Sequence, residues 1–231
     1  MRFPDAARYD DGMEAILEPL MRSPKFPRYV DELVELRRQE DLARRRFRDS
    51  LDEDVRAEFI NGEVVEQMSS RGKHTVTVAN IGGLLRTFVQ LRHLGTVRSE
   101  QALAAFTRND YVPDICFWSK ARSAQFTGDT TIYPVPDFVC EVLSPRTEER
   151  DRGVKFEDYA SHGVREYWIV DADAEVIEQY LESTGRYELS GKFGEGVVRS
   201  AVIEGFEMPT RAVFDEEAYL VALRKLLTPG S

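Results

Sequence analysis

The sequence predicts an α/β fold, an α+β mixed sheet with helices on both faces, preceded by a helical extension. Two observations carry this. From Ser70 to Asp171 the hydrophobic pattern runs helix, strand, strand, strand, helix, strand, an order that brackets three strands between helices and returns through a fourth. Upstream, residues 30–51 contain no Gly or Pro and are rich in helix formers, a texture that changes abruptly at residue 55.

The elements follow in order. A short helix is expected over residues 11–21, then a turn-rich stretch marked by Pro24 and Pro27. The 30–51 helix has sparse apolar positions: Val30, Leu33, Val34, Leu36, Leu42 and Phe47. Six arginines lie between Arg37 and Arg48, against Glu40 and Asp41. They read either as a solvated, salt-bridged face or as a basic arm that touches phosphates. Residues 55–67 form a hairpin centred on Asn61-Gly62, because both residues tolerate the positive φ of a type I′ turn. Residues 74–93 read as a helix, with Val78, Ile81, Leu84, Leu85, Phe88 and Leu91 at spacings of three and four. Gly82-Gly83 inside it would permit close packing. Strands are expected over 95–106, 111–118 and 137–143, with Arg108-Asn109-Asp110 as the turn between the first two and a long polar connection over 119–136. A helix over 147–162 ends at Gly163. Strands over 164–170 and 175–181 flank an Asp171-Ala172-Asp173 turn. Residues 186–189 and 197–203 look like a further pair joined by a Gly-rich turn, and 215–227 forms a C-terminal helix.

Composition narrows the function. The chain has 231 residues and a net charge of −10, which argues against nonspecific coating of nucleic acid. It leaves a nuclease open, since phosphodiester-cleaving sites are themselves acidic. No apolar run approaches the roughly 18 residues of a membrane span, and no secretory signal is visible, so the expected address is the cytoplasm. Cys116 and Cys140 have no CxxC spacing and suit neither a disulfide scaffold nor a Cys-based zinc site. No Gly-x-Ser-x-Gly elbow or Walker loop is present.

Two carboxylates stand out. Asp114 opens the apolar strand ICFW, and Glu141 sits inside the apolar strand DFVCEVL. A buried charge is costly unless paired or bound to a cation. On neighbouring strands the two could share one hard divalent cation, or they could be a strand-edge Asp and a salt-bridged Glu. Strand alternation puts Val139, Glu141 and Leu143 on one face, so a lysine sharing that face is missing at Leu143. The following helix carries Asp151, Lys155, Tyr159 and His162 along one side. Asp151–Lys155 is then either a surface pair or the source of a site lysine. Eight residues from Thr147 to Lys155 advance roughly 12 Å along a continuous helix, so a water-bridged approach to Glu141 is expected. Tyr159 and His162 read as packing or edge groups, and His74, Glu66 and Asp137 match no familiar ligand spacing.

The run PDFVCEVLSPRTEERDRGVKFEDYASHGVREYWIVDADAEVIEQY, with EFINGEVVEQMS, His74 and YVPDICFW upstream, resembles the Uma-two family of the PD-(D/E)XK nuclease superfamily. The resemblance covers about residues 55–215 and implies a restriction-endonuclease-like αβββαβ core. Outside it lie an N-terminal helical extension (1–54) and a C-terminal helix and tail (216–231), and extra C-terminal strands follow the core. The resemblance implies a metal-dependent endonuclease acting on DNA, with Mg²⁺ or Mn²⁺ as cofactor, working as a homodimer. Asp114 matches the motif Asp and Glu141 the motif acid, together the expected metal ligands. The usual lysine position is Leu143, a departure, and Lys155 on the helix matches the lysine of this branch. Glu58 matches a hairpin glutamate that would complete the site, and Glu63 and His74 follow as lesser candidates. The other reading is the same fold serving, without catalysis, as a nucleic-acid or protein interaction module. The charge of −10 and the missing strand lysine favour it, whereas Asp114, Glu141 and Lys155 together favour the enzyme.

Overall fold

The computed structural model describes residues 11–51, 57–67 and 72–228. Its contacts divide the chain into two units, Met1–Glu53 and Asp54–Ser231. The first holds α1 (Asp11–Met21) and α2 (Phe26–Asp49). Helix α2 starts four residues before the expected Val30, because Pro27 stands in its first turn, where a missing N–H is harmless. Arg28 pairs with Glu32 and Arg38 with Glu35, both at 2.8 Å on exposed side chains.

The second unit opens with the hairpin of β1 (Ala57–Ile60) and β2 (Glu63–Glu66). Asn61 and Gly62 have φ of 51° and 90°, as the Asn-Gly signal requires. Helix α3 (Gly72–Arg92) buries Val78, Ile81, Leu84, Leu85 and Phe88, while Leu91 is exposed. Its glycines allow two close approaches. A Cβ on Gly82 would lie 3.0 Å from Ser99 Oγ, and one on Gly83 would lie 2.6 Å from Tyr219 Oη.

The strands after α3 differ from the expected pair. The 95–106 segment breaks into β3 (Gly95–Ser99) and β4 (Leu103–Ala105), because Glu100 takes a left-handed φ of 53°. The 111–118 segment breaks into β5 (Asp110–Tyr111) and β6 (Ile115–Ser119) around Pro113, which has no N–H to give a ladder. The polar connection after β6 contains α4 (Lys120–Ser123) and β7 (Ile132–Tyr133). Next come β8 (Phe138–Val142), α5 (Glu148–Arg152), α6 (Val154–Ser161) and β9 (Glu166–Asp171). The helix expected over 147–162 is thus two helices. Gly153 separates them with its Cα against Glu149 O, which a Cβ would approach to 2.6 Å.

The chain continues through β10 (Val176–Ser183), β11 (Arg186–Phe193), β12 (Val197–Arg199) and β13 (Glu207–Pro209) to α7 (Arg211–Phe214) and α8 (Glu216–Leu227). The expected 186–189/197–203 pair does not form. Strand β11 returns on β10, because Thr184-Gly185 has positive φ at both positions and closes a tight hairpin, and β12 pairs with β13.

A six-stranded sheet runs β11-β10-β9-β8-β6-β3, and a five-stranded sheet runs β2-β1-β5-β4-β7. Within the first, α3-β3-β6-β8-α5/α6-β9 is the αβββαβ core, with β8 and β9 parallel across the helical crossover. Alternate residues of β8 face two different cores. Cys140 and Val142 join Trp168 and Phe88 on the α3 side, while Val139 joins Trp118, Tyr159 and Tyr167 on the other. Among the described residues, no helix is long and apolar enough to cross a membrane.

Candidate active site

The site begins with the β6–β8 register. Ile115 lies opposite Cys140 and Cys116 opposite Val139, so one step further along the same antiparallel register Asp114 stands opposite Glu141. The two side chains then cross. Asp114 Oδ2 accepts from the N–H of Val142 at 2.7 Å, and Glu141 Oε2 accepts from the N–H of Asp114 at 3.1 Å. The proline before Asp114 ends β-pairing there and leaves this N–H for the glutamate.

Strand alternation turns Glu141 to the Val139 face, under α6. Its Oε1 accepts from Lys155 Nζ at 3.0 Å and from the Tyr159 hydroxyl at 2.9 Å. The Gly153 break places Lys155 in the first turn of α6, so the 12 Å advance along a continuous helix does not apply and the ammonium meets Glu141 directly. The hairpin supplies Glu58, whose Oε1 lies 3.1 Å from Lys155 Nζ and accepts from the N–H of Val112 at 2.9 Å. Asp151 Oδ1, on α5, lies 3.4 Å from the same ammonium. Lys155 is 3% exposed, so three carboxylates and one ammonium share a buried pocket.

The electrostatics follow from that imbalance. Burial raises the pKa of Glu141 well above its ordinary range, and the charges of Asp151, Asp114 and Glu58 add to the rise against the pull of Lys155. Asp151 is raised by burial as well, again against Lys155. Burial alone would lower Lys155, but Glu141, Glu58 and Asp151 outweigh it and hold the ammonium charged. Beside it, the Tyr111 hydroxyl donates to Asp158 Oδ2 at 2.8 Å, and the Tyr111 ring centre lies 5.9 Å from Lys155 Nζ.

A second group meets Asp114 at the oxygen that accepts from Val142. His74, in the first turn of α3, has its Nε2 3.2 Å from Asp114 Oδ2. Glu100, just past β3, is fixed by its N–H donating to the Asp114 carbonyl at 3.1 Å. One ligand atom from each of His74, Glu100 and Asp114 lies within 4.8 Å of the other two. Burial lowers the proton affinity of His74, but Asp114 and Glu100 outweigh it and the net shift is upward. A nitrogen and two carboxylates from three different elements are a donor set that fits a divalent cation.

The structure therefore brings together Asp114, Glu141, Lys155 and Glu58. Glu63 and Glu66 are exposed on β2, and Asp137 is buried against Arg122 and Arg165. Tyr159, read from sequence as packing, bonds Glu141, and His162 bonds Asp158 and Thr107. The sequence pattern does not mark Glu100, since Arg98, Ser99 and Gln101 beside it are equally polar and its place comes from the left-handed turn that ends β3.

A family model for Uma2, described as "Putative restriction endonuclease", matches residues 39–211. Among solved structures, the chain is similar to "a putative nuclease belonging to DUF820" from Anabaena variabilis ATCC 29413. The two are 18% identical with a TM-score of 0.63, over 75% of this chain and 96% of that one, a likeness of fold. No curated protein matches.

Proposed function

The chain belongs to the Uma2 family, "Putative restriction endonuclease", and from that premise we propose that it is a metal-dependent endonuclease hydrolysing phosphodiester bonds of DNA. The family and the nuclease-like fold support a nuclease role. The observation that carries the finer reading is Lys155 reaching Glu141 at 3.0 Å from a helix, beside an Asp114 that Glu141 itself holds in place.

In this reading Asp114 and Glu141 hold Mg²⁺ or Mn²⁺. Once bound, such a cation polarises the scissile phosphate and acidifies water. The residues supply the rest. Lys155 brings a permanent positive charge to the pocket, suited to orienting a water and offsetting charge that develops on the phosphate oxygens. Three carboxylates surround the ammonium, of which Asp151 at 3.4 Å is the most distant and its Oδ1 makes no hydrogen bond among the described residues, so this is the contact a water would replace. Glu58 fixes the ammonium from the hairpin, anchored by Val112 N–H. Tyr159 holds the Glu141 oxygen that faces the lysine. Two copies would set two such sites against two strands, since closed dimers are the commonest assembly.

The test is cleavage of a duplex oligonucleotide, and of an RNA of the same sequence, in Mn²⁺ or Mg²⁺. Wild type should cut the DNA and Lys155→Met should not. Equal activity in both proteins would remove Lys155 from the chemistry. Absence of cutting by wild type in either ion would favour the interaction-module reading, which the charge of −10 supports.

A further inference from the structure

We infer that the cation of this site is a first-row transition ion in preference to magnesium, because His74 and Glu100 join Asp114 as its ligands. The inference rests on the nuclease reading and deepens it by naming ligands and metal class.

Three features point there. The first is the spacing. Ligand atoms bound to one ion at about 2.0–2.6 Å from it lie within about 5 Å of one another, and those of His74, Glu100 and Asp114 lie within 4.8 Å. The second is the imidazole itself. The His74 side chain is 9% exposed, its Nε2 faces Asp114 at 3.2 Å, and its Nδ1 has no hydrogen-bond partner among the described residues, so the ring can bond Asp114 through one nitrogen and still offer the other to an ion. A buried polar nitrogen without a partner is rare and asks for an explanation. The third is the backbone. Glu100 holds a left-handed φ of 53°, an unusual conformation for a glutamate, and its N–H is tied to the carbonyl of Asp114. This tie keeps the glutamate beside the aspartate as β3 ends.

The donor set then decides the ion. Magnesium prefers an all-oxygen octahedron and keeps several waters. Imidazole nitrogen is a better ligand for first-row transition ions. A nitrogen with two carboxylates therefore discriminates against magnesium, whereas Asp114 and Glu141 alone would not.

The probe is Mn²⁺ on the full chain, followed by pulsed electron paramagnetic resonance and by calorimetric titration against Mg²⁺. Wild type should bind Mn²⁺ tighter than Mg²⁺ and show coupling of the metal to an imidazole nitrogen. His74→Gln should lose the nitrogen coupling and the preference, and Glu100→Gln should weaken both ions. Should His74→Gln fail to fold, coupling that persists in His93→Gln and His162→Gln assigns it to His74, since the chain has three histidines. Bound Mn²⁺ without nitrogen coupling, or equal affinity for the two ions, overturns the inference. If that binding is nevertheless lost in Asp114→Asn, the nuclease reading stands without it. A wild type that binds neither ion overturns both.

Discussion

Asp114 and Glu141 each hold the backbone that carries the other. The aspartate accepts from the N–H next to the glutamate at 2.7 Å, and the glutamate accepts from the aspartate's own N–H at 3.1 Å. The pair forms a corner at the start of β6, and the ligand geometry of the site depends on both.

Asp114→Asn and Glu141→Gln should each abolish Mn²⁺ binding while the fold survives. Glu141 is the nearest carboxylate to the buried Lys155 ammonium, at 3.0 Å, so Glu141→Gln should lower the melting temperature without abolishing the fold. Circular dichroism melts beside a Mn²⁺ titration check this. Unchanged binding in both variants would refute the paired site.

Lys155→Met should lose cleavage and keep Mn²⁺ binding, because the ammonium bonds Glu141 Oε1, not the Oε2 that reaches Asp114. Removing one partner of a buried ion pair costs about 3–5 kcal/mol, which denaturant titration should show. A loss of Mn²⁺ affinity matching that of Asp114→Asn would instead make Lys155 part of the ligand framework.

Much of this architecture was legible in the sequence. Charged residues inside apolar strands marked Asp114 and Glu141, and Asn61-Gly62 marked the hairpin that delivers Glu58. What was not legible depends on tertiary context. Glu100 breaks a strand by a left-handed turn that glutamate does not announce. Gly153 looks like a tolerated glycine in a helical pattern, but it divides the helix and moves Lys155 by two turns relative to the helix start. His74, Glu100 and Asp114 come from α3, the end of β3 and the start of β6, so no local spacing could reveal their meeting.

Gly153→Ala tests the division of the helix. A Cβ there would meet Glu149 O at 2.6 Å, and overpacking of this kind costs about 1–3 kcal/mol. The shift of α6 should also carry Lys155 away from Glu141. A variant as stable and as active as wild type would show that the break is unimportant.

Asp151 gives a pH signature. Its native pKa is raised above the ordinary 3.8, so the native state keeps a proton that the unfolded chain has lost. Stability must therefore fall as pH rises from about 4 through the native pKa. Asp151→Asn removes this titration, and its stability should decline less over that window when both proteins are melted in chelator. Parallel curves would mean that Asp151 ionises as freely in the fold as outside it. Lys155 contributes nothing to that slope, because its raised pKa keeps its contribution intact until pH climbs past the usual lysine range.

The most direct measurement is nicking of supercoiled plasmid in Mn²⁺ by wild type and Asp114→Asn, purified in parallel, with chelator added to half of each reaction. Wild type should convert the plasmid to open-circle and linear forms, chelator should stop it, and Asp114→Asn should leave the plasmid supercoiled. Plasmid left intact by wild type in both Mn²⁺ and Mg²⁺, or cut equally by Asp114→Asn, would contradict a metal-dependent nuclease at this site.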